Sequence, residues 1–422
     1  MVHSWKQALL NYFQPKLILI LLLGFSSGLP YGMLIDPLNF WLSESEISRA
    51  AIGLLSLITL TYSFKAIWAP FVDRLQIPFI YLLGQRKSWL VFSQLFISLT
   101  LFGMALTDPS QSLLPLVIFA LATGFASATQ DICVDALRIE MVQEKELGEA
   151  TAMYQAGWRG AFLVSQVVSF FVASFFDWST AYILAALIII VISIILFFTL
   201  SEPERVIKPY ISVFSDPTGW FLDSYISPFN DFISRYKNNF ILIILIVIFY
   251  RFSDIILGPM AMPFYREAGF SKEEVATITN AFGILVTIFG AFAGGLLIYR
   301  NGIKKILIVG ALLVCVTNLM FAFLETRGHD LLFLSLTIAL DNFSQGVAST
   351  VLIAYLSSIT SQTFTATQYS LLFLLATVPA KLISAFSGFV VDEVGYFNFF
   401  LYASLMGLPA IFLSLKVSSS KE

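Results

Sequence analysis

The sequence predicts an all-α membrane protein whose twelve spans divide into two halves of six, and three observations carry that prediction. Of 422 residues, 58% are hydrophobic and only 12% charged, whereas soluble domains carry roughly a quarter charged residues. A helix needs roughly 20 residues to cross a hydrocarbon core of about 30 Å, and apolar runs of that length recur along the whole chain. One long polar stretch, rich in proline, falls near the middle and leaves equal numbers of runs on either side.

In chain order the first half, 1–200, gives spans near 17–35, 50–71, 88–106, 112–138, 152–176 and 178–200. The opening run is too long for the apolar region of a secretory signal and lacks a small-residue cleavage site, so it reads as a retained span. The second half, 239–422, gives spans near 239–266, 275–298, 303–324, 330–358, 366–391 and 396–416. Between them the linker 201–238 carries Pro203, Pro209, Pro217 and Pro228. Its latter part repeats Phe221, Tyr225, Phe229, Phe232 and Tyr236 every three or four positions, which predicts an amphipathic helix at the membrane surface between the halves.

Basic residues orient the chain. With the N-terminus inside, the inner segments carry Lys6, Lys16, Arg74, Arg86, Lys87, Arg138, Lys145, Arg205, Lys208, Arg235, Lys237, Arg300, Lys304, Lys305, Lys416 and Lys421. The outer loops carry only Arg49, Arg266, Lys272 and Arg327, so both termini are expected in the cytoplasm.

Several function classes drop out. The net charge of -3 leaves no footprint for nucleic acid. Cys133 and Cys315 lie far apart within apolar runs and read as small hydrophobes, not as a disulfide or metal pair. The sequence contains no G-x-x-x-x-G-K-[ST] loop, no H-E-x-x-H and no Cys/His cluster, so ATP hydrolysis by the chain itself, a metal and a cofactor are not expected. What is left is not an enzyme but an ion-driven transporter of a small molecule. His3 and His329 lie at the N-terminus and in a loop, so a coupling proton would ride on a carboxylate.

Eight charged side chains lie well inside the spans: Lys65, Asp131, Asp135, Arg159, Arg251, Asp254, Asp341 and Lys381. Each costs roughly 2.5–3.5 kcal/mol at a helix centre on insertion scales, so eight unpaired charges would cost on the order of 20–28 kcal/mol. They must face the bundle interior. Asp131 and Asp135, at i and i+4, share one face of the fourth span. Adjacent carboxylates resist joint ionisation, which suits a proton carrier; Asp135 also lies near enough to the inner surface to join a gate. Asp73, Arg74, Arg159 and Arg300 are the gating candidates. Arg251 and Asp254, at i and i+3, can pair within the seventh span, and with Asp341 and Lys381 they fall near mid-span, where substrate or coupling roles are expected. Lys65 lies toward the inner end of its span and is free to snorkel outward. Gln130 neighbours Asp131, Gln155 and Trp158 neighbour Arg159, and Asn342 and Gln345 neighbour Asp341. Tyr31, Trp68 and Tyr355 offer faces on which sugar rings stack, although 42 phenylalanines and 16 tyrosines make packing the commoner use of any one ring.

The halves are related to each other. Ala69-Pro70-Phe71-Val72-Asp73-Arg74, followed by Gly84-Gln85-Arg86-Lys87, ends the second span and opens the third. Gly295-Leu296-Leu297-Ile298-Tyr299-Arg300-Asn301-Gly302-Ile303-Lys304-Lys305 does the same between the eighth and ninth. Both resemble the inter-helix loop of the major facilitator superfamily, the first with an insertion before its glycine and the second with Tyr299 where aspartate is usual. Parallel six-helix repeats of this kind place the substrate path between the halves near the midplane.

A narrower resemblance spans nearly the whole chain. Gly24-Phe25-Ser26-Ser27-Gly28-Leu29-Pro30, Tyr62-Ser63-Phe64-Lys65-Ala66-Ile67-Trp68-Ala69-Pro70 and Ser127-Ala128-Thr129-Gln130-Asp131 with Asp135 resemble the AmpG-type muropeptide permeases. So do Met262-Pro263-Phe264-Tyr265 with Gly269-Phe270-Ser271-Lys272, Asn342-Phe343, Ala354-Tyr355-Leu356-Ser357-Ser358 and Phe364-Thr365-Ala366-Thr367-Gln368-Tyr369. The resemblance implies proton-driven import of anhydromuropeptides across a bacterial inner membrane into the cytoplasm, and the protein is expected to act as a monomer. The residues themselves lead us to expect substrate contacts from Arg251, Asp254, Asp341, Asn342, Lys381, Gln130, Gln155, Trp158 and Tyr31, and proton coupling through Asp131, Asp135 and Asp254, and the chemistry of such a substrate agrees with them. The chain departs from that family at Asp341, where glutamate is usual, and at Lys381, where arginine is. The Gln130-Asp131 signature also resembles acetyl-CoA transporters, so a carrier of CoA thioesters or other anionic solutes is the alternative. A non-transporting sensor of wall fragments is a third reading, with no appended sensory or catalytic domain to support it.

Overall fold

The computed structural model describes residues 9–78, 80–203 and 215–419, so His3, Lys6, Arg205, Lys208, Pro209 and Lys421 lie outside the described residues. Among the described residues all regular structure is helical, and eleven stretches are long and apolar enough to cross a membrane. The twelfth, Ala51–Ile67, is apolar but shorter. The chain is a multi-pass membrane protein.

In the first half α1 is Pro15–Met33, α3 Gln85–Ala105, α4 Leu113–Glu140, α5 Leu147–Phe175 and α6 Trp178–Thr199. The second span, α2, is not the continuous helix expected from 50–71. It runs as Arg49–Leu55, Ser56–Thr59, Leu60–Phe64, Lys65–Ile67 and Ala69–Arg74, alternating α- and 3-10 geometry. Pro70 accounts for the last break, because proline lacks an N–H and disfavours helical angles in the residue before it.

In the second half α7 joins Phe240–Phe249 to Phe252–Glu267 through a break at Tyr250 and Arg251. There follow α8 (Gly283–Asn301), α9 (Ile303–Arg327), α10 (Leu331–Ile359) and α11 (Thr365–Ser384). Ala385 and Phe386 keep near-helical angles, so α11 bends there and the chain reverses at Gly395, φ 76°. Beyond it, the rest of Ser387–Leu405 leads into Leu408–Ser419, and together these form α12. Gly84 (φ 100°) and Gly302 (φ 83°) stand immediately before α3 and α9 at equivalent turns. Only glycine adopts such angles freely, which explains the glycine in both copies of the loop motif.

Side chains sort by solvent. On α4 the exposed Leu114, Ile118, Leu121 and Phe125 fall at helical spacing, as do Leu312, Val316 and Phe323 on α9; these are lipid-facing stripes. Within the first half, α1 and α5 approach so closely that a Cβ on Gly24 or Gly28 would run into the backbone of Tyr154 or Trp158. Gly157 meets the backbone of Leu21 in the same way. Small residues at such crossings replace hydrophobic exclusion as the source of helix packing in lipid.

The two halves meet mainly at one face, called here the near face, where α1 begins. At the end of α2, Asp73 accepts hydrogen bonds from Thr367 N at 2.7 Å and Thr367 Oγ1 at 2.6 Å, at the start of α11. Arg138 at the end of α4 donates to Ser357 Oγ of α10 at 2.9 Å. Roughly 12 Å deeper, at 1.5 Å of rise per residue, Gln155 Nε2 donates to Thr350 Oγ1 at 2.7 Å and Ser349 Oγ donates to Gln155 Oε1 at 2.8 Å. The molecule is therefore closed at its near face.

The linker braces this closure. It runs as Pro217–Phe221, a wider turn over Leu222–Ile226, and Ser227–Tyr236. Asp223 pairs with Arg74 at 2.8 Å and Tyr225 OH donates to Ile67 O of α2 at 2.7 Å. On the other half, Gln368 Nε2 donates to Asp231 Oδ2 at 2.8 Å, and Arg235 donates to Ile359 O at 3.1 Å. The stretch carrying the aromatic repeat is helical in three pieces, and its rings do not share one environment: Phe232 is buried while Phe221 and Phe229 are exposed.

Gly28→Leu should lower the thermal unfolding temperature in detergent, at an overpacking cost of about 1–3 kcal/mol. Gly160→Leu, where an added Cβ meets nothing within 4 Å, should leave it nearly unchanged. Equal effects at both positions would refute the close α1–α5 contact.

Candidate functional site

Two polar groups occupy the interior. The first lies within the first half against α11. The break in α2 buries Lys65 at 2% exposure, so it does not snorkel outward as its sequence position suggested. Its ammonium pairs with Asp131 and, at 2.7 Å, with Asp135. Asp131 also accepts from Ser27 Oγ of α1 at 2.6 Å and Tyr154 OH of α5 at 3.1 Å. Arg138 lies 3.5 Å from Asp135 and stacks over Tyr154 and Tyr369. Two cations thus meet two carboxylates, and the i,i+4 spacing that aligned Asp131 with Asp135 allows one lysine to bridge them.

The second group is central to the second half. Arg251 stands at the break in α7, where its side chain turns back to pair with Asp254. Discontinuous helices are a common way for transporters to place charged groups at the midplane. A cavity of about 330 Å³ is lined by Arg251, Asp254, Tyr265, Asp341, Asn342 and Gln345 among others. Asp341 Oδ2 accepts from Gln345 Nε2 at 3.0 Å, while its Oδ1 is buried without a hydrogen-bond partner. Asn342 Oδ1 accepts from Thr287 Oγ1 at 2.8 Å. From α5, Arg159 lies within the electrostatic reach of Arg251 and Asp254. Lys381 is near enough to interact with Arg251 and donates to Ser63 Oγ across the halves at 3.3 Å. Even with both aspartates ionised, Arg159, Arg251 and Lys381 against Asp254 and Asp341 leave one excess positive charge (three less two).

Beside Arg159 on α5 stand the rings of an aromatic cluster. Trp158 and Phe162 stack at 5.6 Å, and Tyr31 lies 5.6 Å from Trp158 and 4.8 Å edge-on from Tyr62.

Sequence reasoning grouped these residues unevenly. Arg251, Asp254, Asp341 and Asn342 share one cavity wall. Gln130 does not reach it: fully buried, it donates to Ser26 Oγ at 3.0 Å. Gln155 is used in the seam between halves. Arg159 sits with the central charges rather than with the near-face pairs. At the near face, Arg86 binds both Asp73 and Glu140 at 2.7 Å, Arg74 binds the linker, and Arg300 lies at the end of α8. Sequence reasoning missed Ser27, Tyr154 and Thr367 as partners of these carboxylates. Tyr154 lies one turn before Trp158, a spacing that could have drawn attention to it.

The fold and these interior charges are those of a membrane transporter. The profile of the Major Facilitator Superfamily matches residues 17–252. A putative transporter, AmpG 4, of Rickettsia conorii is 32% identical over 407 residues, covering 96% of this chain and 97% of that one. The anhydromuropeptide permease of Escherichia coli K12 is 29% identical over 419 residues, covering 99% and 82% respectively. Among solved structures, the proton:xylose symporter XylE superposes with a TM-score of 0.66 at 14% identity, covering 95% of this chain and 94% of that one. FucP in its outward conformation gives a TM-score of 0.69 at 14% identity, covering 97% and 100%. The chain belongs to the major facilitator superfamily and, within it, to the AmpG transporters.

Lys65→Met would leave Asp131 and Asp135 buried without their shared cation, so it should destabilise the protein by about 3–5 kcal/mol. Adding Asp131→Asn should recover part of that loss in thermal unfolding. Strictly additive losses would show that the three groups are not coupled.

Proposed function

We propose that this transporter imports anhydromuropeptides across a bacterial inner membrane, driven by protons. One observation carries the reading: Arg159 and Lys381 lie within electrostatic reach of Arg251 beside the mid-membrane cavity, so three cations gather around Asp254 and Asp341, and an aromatic cluster stands beside Arg159. An anhydromuropeptide has matching chemistry. Its carboxylates suit Arg159, Arg251 and Lys381, its amine suits Asp254 or Asp341, and its sugar rings suit Trp158 and Tyr31. The names of the AmpG relatives and of the E. coli permease support the same substrate class.

In this reading the near face is cytoplasmic. Lys16, Arg86, Lys87, Arg138, Lys145, Lys304 and Lys305 cluster there, and the positive-inside rule assigns such segments to the cytoplasm. The conformation closed at that face then presents its central cavity toward the periplasm, ready for import, and the protein works as a monomer.

Asp131 and Asp135 carry the coupling proton. Protonation of either weakens its hold on Lys65, and the released lysine can no longer balance the other charges against α11. Asp254 couples substrate to proton, because a substrate carboxylate competes with it for Arg251. Opening at the near face requires Asp73 to release Thr367, with Arg74 and Arg300 following their helix ends.

Proteoliposomes should accumulate labelled anhydromuropeptide under an inward proton gradient and lose that accumulation on adding a protonophore. Uptake indifferent to the gradient would overturn the coupling. Uptake of acetyl-CoA without uptake of muropeptide would overturn the substrate in favour of a CoA-thioester carrier. Asp131→Asn and Asp254→Asn should each reduce uptake at least tenfold at unchanged expression, about 1.4 kcal/mol or more. Normal uptake by both variants would return these residues to packing roles.

A further inference from the structure

A second cavity, of about 1050 Å³, lies at the near face and is separate from the central one. Its charged lining comes from three parts of the chain. The turn between α4 and α5 gives Glu144 and Lys145, the linker gives Arg235, and the turn into α9 gives Lys304 and Lys305. Four cations thus face one carboxylate. Arg235 is partly answered by Asp231 at 3.0 Å, whereas Lys145 and Lys305 are exposed at the rim. Like charges gathered around one space raise a positive potential that attracts an anion.

The remaining wall is mixed, and its apolar side selects among anions. Leu242 and Ile243 at the start of α7 line the cavity. On the same helix Ile241 and Leu245 are exposed to the surroundings of the bundle. A site that is cationic at the helix ends and continuous with a lipid-facing apolar surface fits an amphiphile better than a fully hydrated ion. Basic pockets between spans at this depth are suited to anionic lipid headgroups.

We propose that this cavity binds the phosphodiester headgroup of an anionic phospholipid and that the bound lipid favours the state closed at the near face. The second part follows from the lining. Lys145 belongs to the first half and Lys304 and Lys305 to the second, so a headgroup held among them binds the closed state better than one in which the halves part. A ligand shifts a conformational equilibrium by its differential affinity for the two states.

The test uses the full chain in nanodiscs of phosphatidylcholine with or without phosphatidylglycerol. Native mass spectrometry should find phosphatidylglycerol retained by the unaltered protein. Each neutralised lysine should weaken retention about fivefold, so K145Q/K305Q should lose about 25-fold. Lys87→Gln, a near-face cation outside the cavity, should change little. Spin labels on Ser110→Cys, in the far-face loop before α4, and Thr326→Cys, in the last turn of α9, both exposed and in opposite halves, should report more of the long-distance population when phosphatidylglycerol is present. That shift should vanish in K145Q/K305Q. The native Cys133 and Cys315 are buried and should not take label. Thermal unfolding of the double variant in phosphatidylcholine should match that of the unaltered protein, because both lysines are at the surface. Equal retention by K145Q/K305Q and Lys87→Gln would overturn the site. The same distance shift produced by inorganic phosphate in pure phosphatidylcholine would overturn the lipid in favour of a free anion.

Discussion

Charge in a low-dielectric interior must be answered by charge, and the rest of this structure follows from that constraint. Lys65, Asp131, Asp135 and Arg138 form one closed set, and Arg251 with Asp254 forms another. Breaking such a set costs several kcal/mol, whereas exchanging one partner for another costs far less. A transporter can use this difference. Protons, substrate carboxylates and resident side chains compete for the same counter-charges, so occupancy at one position alters pairing at the next.

The helix breaks serve the same end. A regular α2 would present Lys65, and a regular α7 would present Arg251, from an uninterrupted helix. The breaks at Lys65–Trp68 and Tyr250–Arg251 instead set these cations among the other interior groups. Freed carbonyls inside a bilayer need donors from within the protein. Here the linker supplies one, Tyr225 to Ile67.

How much was legible in the sequence follows from what a sequence pattern encodes. Eleven spans follow from apolar run length, while the broken second one falls short of it, and the paired loop glycines follow from a backbone need that only glycine meets easily. The i,i+4 and i,i+3 relations placed Asp131 with Asp135 and Arg251 with Asp254, because helical periodicity is local. Contacts between helices were not legible. Nothing in the neighbourhood of Lys65 distinguishes a lysine that snorkels from one held by two aspartates on another helix. Gln130 and Gln155 looked like cavity residues because they adjoin Asp131 and the Trp158-Arg159 pair, yet successive positions on a helix face different neighbours. The breaks themselves were only half visible: Pro70 marks the one in α2, whereas no proline marks the one at Tyr250.

The bond from Tyr225 to Ile67 has a consequence of its own. In an unbroken α2 the Ile67 carbonyl would accept from Phe71 N, which here bonds Trp68 O instead at 3.0 Å. The linker therefore docks on a carbonyl that the bend in α2 leaves without its helical donor. Straightening α2 would bring Phe71 N to that carbonyl as a competing donor and weaken the tyrosine's hold, so the attachment of a surface segment becomes a readout of the shape of a membrane helix. Mechanical information then leaves the membrane through one carbonyl oxygen, with no change of charge at the surface.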